Sequence, residues 1–199
     1  MSEHTTTSVV FAGVGGQGIL LASEILAQAA MLAGYDVKTN EVHGMAQRGG
    51  SVIAQIRYGE KVFSPLVPDG TARVLASLER IEALRFRHFL APGGTAVVST
   101  QAIVPVTVSM GAAEYPADAE SRLAEAFENL LLIDAVTLAR EAGTAKAANV
   151  VVLGALSTRL DLDAPAWTEA LQRSVKPKFL DVNRKAFDLG REAARNGHA

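Results

Sequence analysis

The feature that most constrains this chain is Gly13-Val14-Gly15-Gly16-Gln17-Gly18, set between an apolar run, Val9-Val10-Phe11-Ala12, and a helix-forming stretch from Ile19 to Ala33. The apolar run ends on Gly13 and suits a strand buried on both faces of a parallel sheet. Leu20, Ile25, Ala29 and Leu32 share one helical face, and Gly34 stands where a C-cap glycine belongs. Tyr35 to Thr39 reads as a second strand, so the unit predicts a right-handed parallel crossover. Glycines at such a turn permit positive φ and close backbone approach, while free N–H groups and the dipole at the helix start favour an anion. Two readings stay open on these residues alone. One is contact with a phosphate, diphosphate or carboxylate; the other is a turn that only lets helix and sheet pack closely.

A nicotinamide dinucleotide site asks for an acidic residue about 20 positions further on, at the end of the second strand. Glu41 is the one fair candidate, just past that strand and next to Asn40. Glu41 to Gly50 then forms a polar, glycine-punctuated loop holding His43, Gly44, Met45, Gln47, Arg48, Gly49 and Gly50. It follows the second strand, at the carboxyl edge where open α/β sheets bind ligands. Arg48 has the planar fork that clamps a carboxylate or phosphate, Gln47 donates and accepts, and His43 adds an imidazole that can take up or give a proton.

Further along, Val52, Ala54, Ile56 and Tyr58 alternate with the residues between them, the period of a strand. Gly59-Glu60 before Lys61-Val62-Phe63 predicts a tight hairpin that adds an antiparallel piece to the sheet. Arg73–Ser77, Thr95–Ser99 and Leu130–Ile133 read as further strands, with helices over 79–90 and 117–128. Asp134 is placed to cap a helix ending near Gly143. The last third reads as helices over about 147–158, 164–174 and 179–195. The pattern predicts an α/β fold: a Rossmann-like, mostly parallel sheet with flanking helices and a helical C-terminal third.

Composition narrows the chemistry. The chain has 199 residues and no cysteine, so it forms no disulfide, holds no thiolate-bound iron–sulfur cluster and uses no cysteine nucleophile. With 19 basic and 21 acidic residues the formal charge is −2, which offers no broad basic field to nucleic acid or an anionic membrane. No apolar run approaches the ~20 residues of a membrane span, and the first residues lack the pattern of a signal peptide. A cytoplasmic protein is the expectation. No metal-ligand spacing, serine nucleophile elbow or acid/base carboxylate pair is present, so the chain carries no catalytic set of its own. Arg85, Arg87 and His88 read as a solvated helix face.

The stretches 13–26 and 41–52, with Phe63-Ser-Pro-Leu-Val-Pro68 and the closing Asn183…Phe187-Asp188-Leu189-Gly190, resemble the gamma-type domain of the 2-oxoacid:ferredoxin (acceptor) oxidoreductases. The likeness is nearest to the indolepyruvate branch and covers nearly the whole chain, implying one such domain over 1–199. One departure is Arg73, where the family usually carries Asp. The resemblance implies coenzyme A-dependent oxidative decarboxylation of an aryl 2-oxoacid such as indolepyruvate, with ferredoxin or a similar carrier taking the electrons. Thiamine diphosphate, Mg and [4Fe-4S] clusters would sit on a larger partner subunit, and this chain would hold no cofactor and be inactive alone. It also implies that Gly13, Gly15, Gly16, Gln17 and Gly18 meet an anionic ligand group or the partner. His43, Gly44, Met45, Gln47, Arg48, Gly49 and Gly50 would line the shared cleft. The alternative is a free-standing dinucleotide-binding Rossmann-like module.

Overall fold

The computed structural model describes residues 6–43, 49–104 and 115–197. Strand β1 (Thr7–Val14) is buried along nearly its whole length, as its unbroken apolar run requires. Helix α1 (Ile19–Leu32) follows the glycine turn and leads to β2 (Asp36–His43) and then β3 (Ser51–Gly59). Next come β4 (Ala72–Ser77), α2 (Arg80–Arg85) and β5 (Leu90–Ser99). The remainder is α3 (Ala119–Ala126), β6 (Asn129–Ile133), α4 (Ala135–Ala142), α5 (Ala148–Ser157), α6 (Ala164–Ser174) and α7 (Leu180–Arg195). Asp134 and Asp163 cap α4 and α6, accepting from the amides of Thr137 and Ala166 at 3.0 and 3.1 Å.

The six strands lie in the order β2-β3-β1-β4-β5-β6. β1, β4, β5 and β6 pair in parallel, while β3 runs antiparallel to both β1 and β2. The crossover from β1 through α1 therefore lands one strand away, and β3 fills the gap. The antiparallel hairpin joins β2 to β3 and does not form at Gly59-Glu60. The reason is burial: β3 is covered on both faces, with Ala54 and Ile56 fully inaccessible, so it takes an interior place with neighbours on both sides. β2 is mostly exposed and takes the edge. Beyond Gly59 the chain crosses the hairpin instead of pairing with it. Asp36 accepts from the Val62 amide at 2.9 Å, and Arg57 donates to the carbonyls of Ser64 and Leu66 at 3.0 and 3.2 Å.

The expected helix over 79–90 is shorter. It is α over Arg80–Arg85, tightens to a 3₁₀ turn at Arg87–Phe89, and β5 already begins at Leu90. A register shift between Ala72 and Val74 absorbs the Ala91–Gly94 segment. Arg73 does not disturb β4; it points out to an ion pair with Asp161 at 2.5 Å.

The sheet is covered on both faces. α1, α4, α5, α6 and α7 pack on one, over Val9, Phe11, Ala54, Ile56 and Val97. α2 and α3 cover the other, with Ala83 and Leu123 against Val10, Ala12, Leu75 and Val98. Helices after β1 and β4 thus leave to opposite faces, which makes the β1–β4 junction the topological switch point of the sheet. Among the described residues no helix is long and apolar enough to cross a membrane.

Candidate functional site

At the switch point the glycine turn is built from backbone constraints. Gly16 and Gly18 have φ of +103° and +81°, a region that side-chain-bearing residues rarely adopt. Gly13 is fixed by space: a Cβ there would lie 2.8 Å from Gln17 Oε1 and 2.9 Å from Ile19 Cδ1. Gly18 caps α1 without any side-chain hydrogen bond, and the first turn of α1 carries no acidic residue. The opening amides of that helix have no intrahelical acceptor, so they present partial positive charge outward.

Both glycine-rich motifs meet here. The Gly15 amide donates to the Gly50 carbonyl at 2.8 Å, and the Gly49 amide donates to the Gly15 carbonyl at 3.2 Å. His43, at the end of β2, stands opposite Val52, which in turn stands opposite Gly13. His43, Gly49 and Gly50 are thereby brought to the glycine turn, while Gly44, Met45, Gln47 and Arg48 lie outside the described residues. The cleft between these parts has a volume of about 580 Å³. Among the described residues it is lined by Gly15, Gly16 and Gly18, by the apolar Val14, Ile19, Leu20, Leu21 and Val52, and by His43. That lining can bind an anion through backbone N–H groups and shield an apolar body. Among the described lining residues His43 is the one titratable group, so among them no acid/base pair faces the cleft. Among the described residues no cluster could hold a metal ion.

Gln17 does not point into this cleft's lining. Its Oε1 accepts from the Val14 amide at 2.7 Å, and its Nε2 donates to the Leu78 carbonyl at 2.7 Å and to Gln101 Oε1 at 3.0 Å. Asn149, at the start of α5, donates to the Gly18 carbonyl at 2.9 Å. Next to Gln101 lies a polar cluster that the sequence did not announce. Glu79 is almost fully buried, and its carboxylate accepts from the amides of Ile81, Glu82 and Ile103 and from the Tyr115 hydroxyl at 2.6 Å. Glu82 accepts from Ser51 and from Arg85, the latter at 3.0 Å. Burial, reinforced by the hydrogen bond to Glu79, pushes the Tyr115 phenol up to about 12. Glu79 carried one legible signal, its place as an acceptor just before a helix. Gln17, Asn149 and Tyr115 find partners far away in sequence, and no local pattern marks them.

The dinucleotide reading loses its acid. Glu41 lies inside β2, not beyond it, and accepts from the Ser23 hydroxyl at 3.1 Å. With β3 between β2 and β1, Glu41 stands two strand spacings, about 10 Å, from the glycine strand. A dinucleotide fold puts that acid on the adjacent strand.

Over residues 8–193 the sequence matches the family described as pyruvate ferredoxin/flavodoxin oxidoreductase. It is 48% identical over 193 residues to indolepyruvate oxidoreductase subunit IorB of Pyrococcus horikoshii, covering 94% of this chain and 96% of that one. The subunit of the same name from Thermococcus kodakarensis is 46% identical over 193 residues, again covering 94% and 96%. The gamma subunit of a keto/oxoacid ferredoxin oxidoreductase from Geobacter sulfurreducens PCA superposes with a TM-score of 0.69, covering 96% of this chain and 99% of that one. At 24% identity it speaks for the shared fold. Matched along almost its entire length, the chain belongs to the pyruvate ferredoxin/flavodoxin oxidoreductase family.

Proposed function

We propose that this chain is the small subunit of an indolepyruvate-type 2-oxoacid:ferredoxin oxidoreductase, acting in the cytoplasm as one gamma-type domain spanning 1–199. The observation that carries the reading is its 46–48% identity, over 94% of its length, to two subunits named for indolepyruvate. The redox and carbon–carbon bond chemistry does not fit the residues here. With no cysteine the chain offers a cluster no thiolate, and His43 is the one titratable group among the described residues lining the cleft. On this reading thiamine diphosphate, Mg and [4Fe-4S] clusters belong to a larger partner subunit, as the family resemblance implies, and ferredoxin or a similar carrier takes the electrons from there.

The chain's own part is to bind and orient. The glycine turn offers backbone N–H groups to a phosphate of coenzyme A or to the substrate carboxylate, and apolar walls from α1 and β3 keep water from that contact. His43 and Gly49 bracket the loop that carries Gly44, Met45, Gln47 and Arg48, and both ends sit at the glycine turn. Arg48 is the bidentate partner we assign to that anion, from its planar fork and the family resemblance. Co-expression with the larger subunit, assayed on a panel of 2-oxoacids with and without coenzyme A, tests the reading. Arg48→Ala is expected to raise the apparent KM for coenzyme A or the 2-oxoacid; an unchanged KM removes Arg48 from the cleft.

A further inference from the structure

We propose that Gln17 is a positioning residue, which holds the glycine turn in its binding shape from outside the cleft and touches no ligand itself. The proposal deepens the function above and rests on it for its kinetic arm. A carboxamide has one acceptor oxygen and two donor hydrogens. In Gln17 the oxygen takes the Val14 amide, and the nitrogen serves both the Leu78 carbonyl and Gln101 Oε1. No donor is left over for a ligand. The three bonds join the end of β1 to the residue after β4 and to the segment after β5, directly across the switch point.

The far anchors are themselves fixed. The Gln101 amide donates to Ser99 Oγ at 3.3 Å, and its carbonyl accepts from the Arg80 amide at 3.2 Å. The Leu78 amide donates to the Ala12 carbonyl at 3.0 Å, one residue before Gly13. Gln17 therefore refers the turn's backbone to three strand ends and the start of α2. Gly15 is tied to Gly49 and Gly50, and Gly18 to Asn149, but Gly16 and Gly18 have no side chain to limit them, and Gln17 adds the reference to β4 and β5. Without it, the amides facing the cleft sample many orientations, and binding bears the cost of ordering them.

Gln17→Glu tests this with little change in shape. It keeps the acceptor for Val14 and replaces the two donors by an oxygen facing two oxygens. In the assembled complex it is expected to raise the apparent KM for coenzyme A about 10-fold with kcat within about 2-fold. Gln101→Ala, which removes one of the two acceptors, is expected to give a smaller rise. Asn183→Ala is the control, since it loses a side-chain bond to the Phe179 carbonyl at the far helical end. It lowers Tm without moving KM. An unchanged KM in Gln17→Glu, or an equal rise in Asn183→Ala, overturns the proposal. A second arm needs no partner: amide exchange at Gly15 and Gln17 of the chain alone is expected to quicken about 10-fold in Gln17→Glu while β6 stays protected. No local change, or a uniform one, overturns the proposal. A wild-type complex without coenzyme A-dependent turnover instead overturns the functional reading and leaves the exchange arm standing.

Discussion

Asn149 donates its side-chain amide to the carbonyl of Gly18, so the helical C-terminal third of the chain reaches back to hold the glycine turn. Asn149 is buried, and a Cβ on Gly18 would lie 2.6 Å from its amide nitrogen. Asn149→Ala leaves the Gly18 carbonyl without that donor and opens a small void. It is expected to cost about 1–3 kcal/mol, read as a fall of several degrees in Tm. An unchanged Tm would mean that the contact adds nothing.

α5 and α7 touch backbone to backbone. A Cβ at Gly154 would lie 2.0 Å from the Phe187 carbonyl oxygen, and one at Gly190 would lie 2.0 Å from that of Val151. Neither helix can yield without moving buried neighbours such as Trp167, whose ring lies 5.5 Å from Phe187. Gly154→Ala and Gly190→Ala are each expected to lose about 3 kcal/mol or more in urea unfolding. Gly34→Ala, where only a positive φ opposes the change, is expected to lose less.

The buried cluster around Glu79 has a spectroscopic signature. Tyr115 ionises at about 12, against 10.0 for a free phenol. Its folded-state value is raised, so its contribution to stability is intact below pH 10 and is lost as pH rises toward 12. The difference between wild-type and Tyr115→Phe absorbance titrations is expected to show a single step near pH 12. A step near 10 would place the phenol in water.

Asp36 behaves in the opposite sense. The hydrogen bond from Lys38, then that from the Val62 amide, holds its carboxyl below the usual carboxylate value. Its contribution is present above that value and is lost as pH falls through the lowered one. Asp36→Asn is expected to quicken exchange of the Val62 amide near neutral pH while β4 and β5 keep their protection. If Val62 is unaffected, the carboxylate does not pin the crossing segment.

Much of this fold was legible because its signals are local. Asp134 and Asp163 mark helix starts by chemistry that acts over three residues, and α6 covers 164–174 as the pattern indicates. The glycine turn was legible as a strand-to-helix junction because positive φ and close packing both demand glycine. The place of β3 was not, since strand order is decided by which strand is buried on both faces, and Val52 to Tyr58 alternate as an edge strand also would. The Gly59-Glu60 turn was misread for a similar reason: Asp36, 26 residues from Val62, and Arg57 draw the following residues across the hairpin. The part Gln17 plays was not legible, because Leu78 and Gln101 reach it only through the parallel pairing of β1, β4 and β5.

Under the proposed function the chain supplies a binding cleft to an oxidoreductase whose redox groups lie on another subunit. The direct measurement is co-purification with the proposed larger subunit, followed by indolepyruvate-dependent reduction of an electron acceptor with and without coenzyme A. The expected result is a stable complex with coenzyme A-dependent turnover and no activity from this chain alone. Failure of the two chains to associate, or turnover by this chain without its partner, would contradict it.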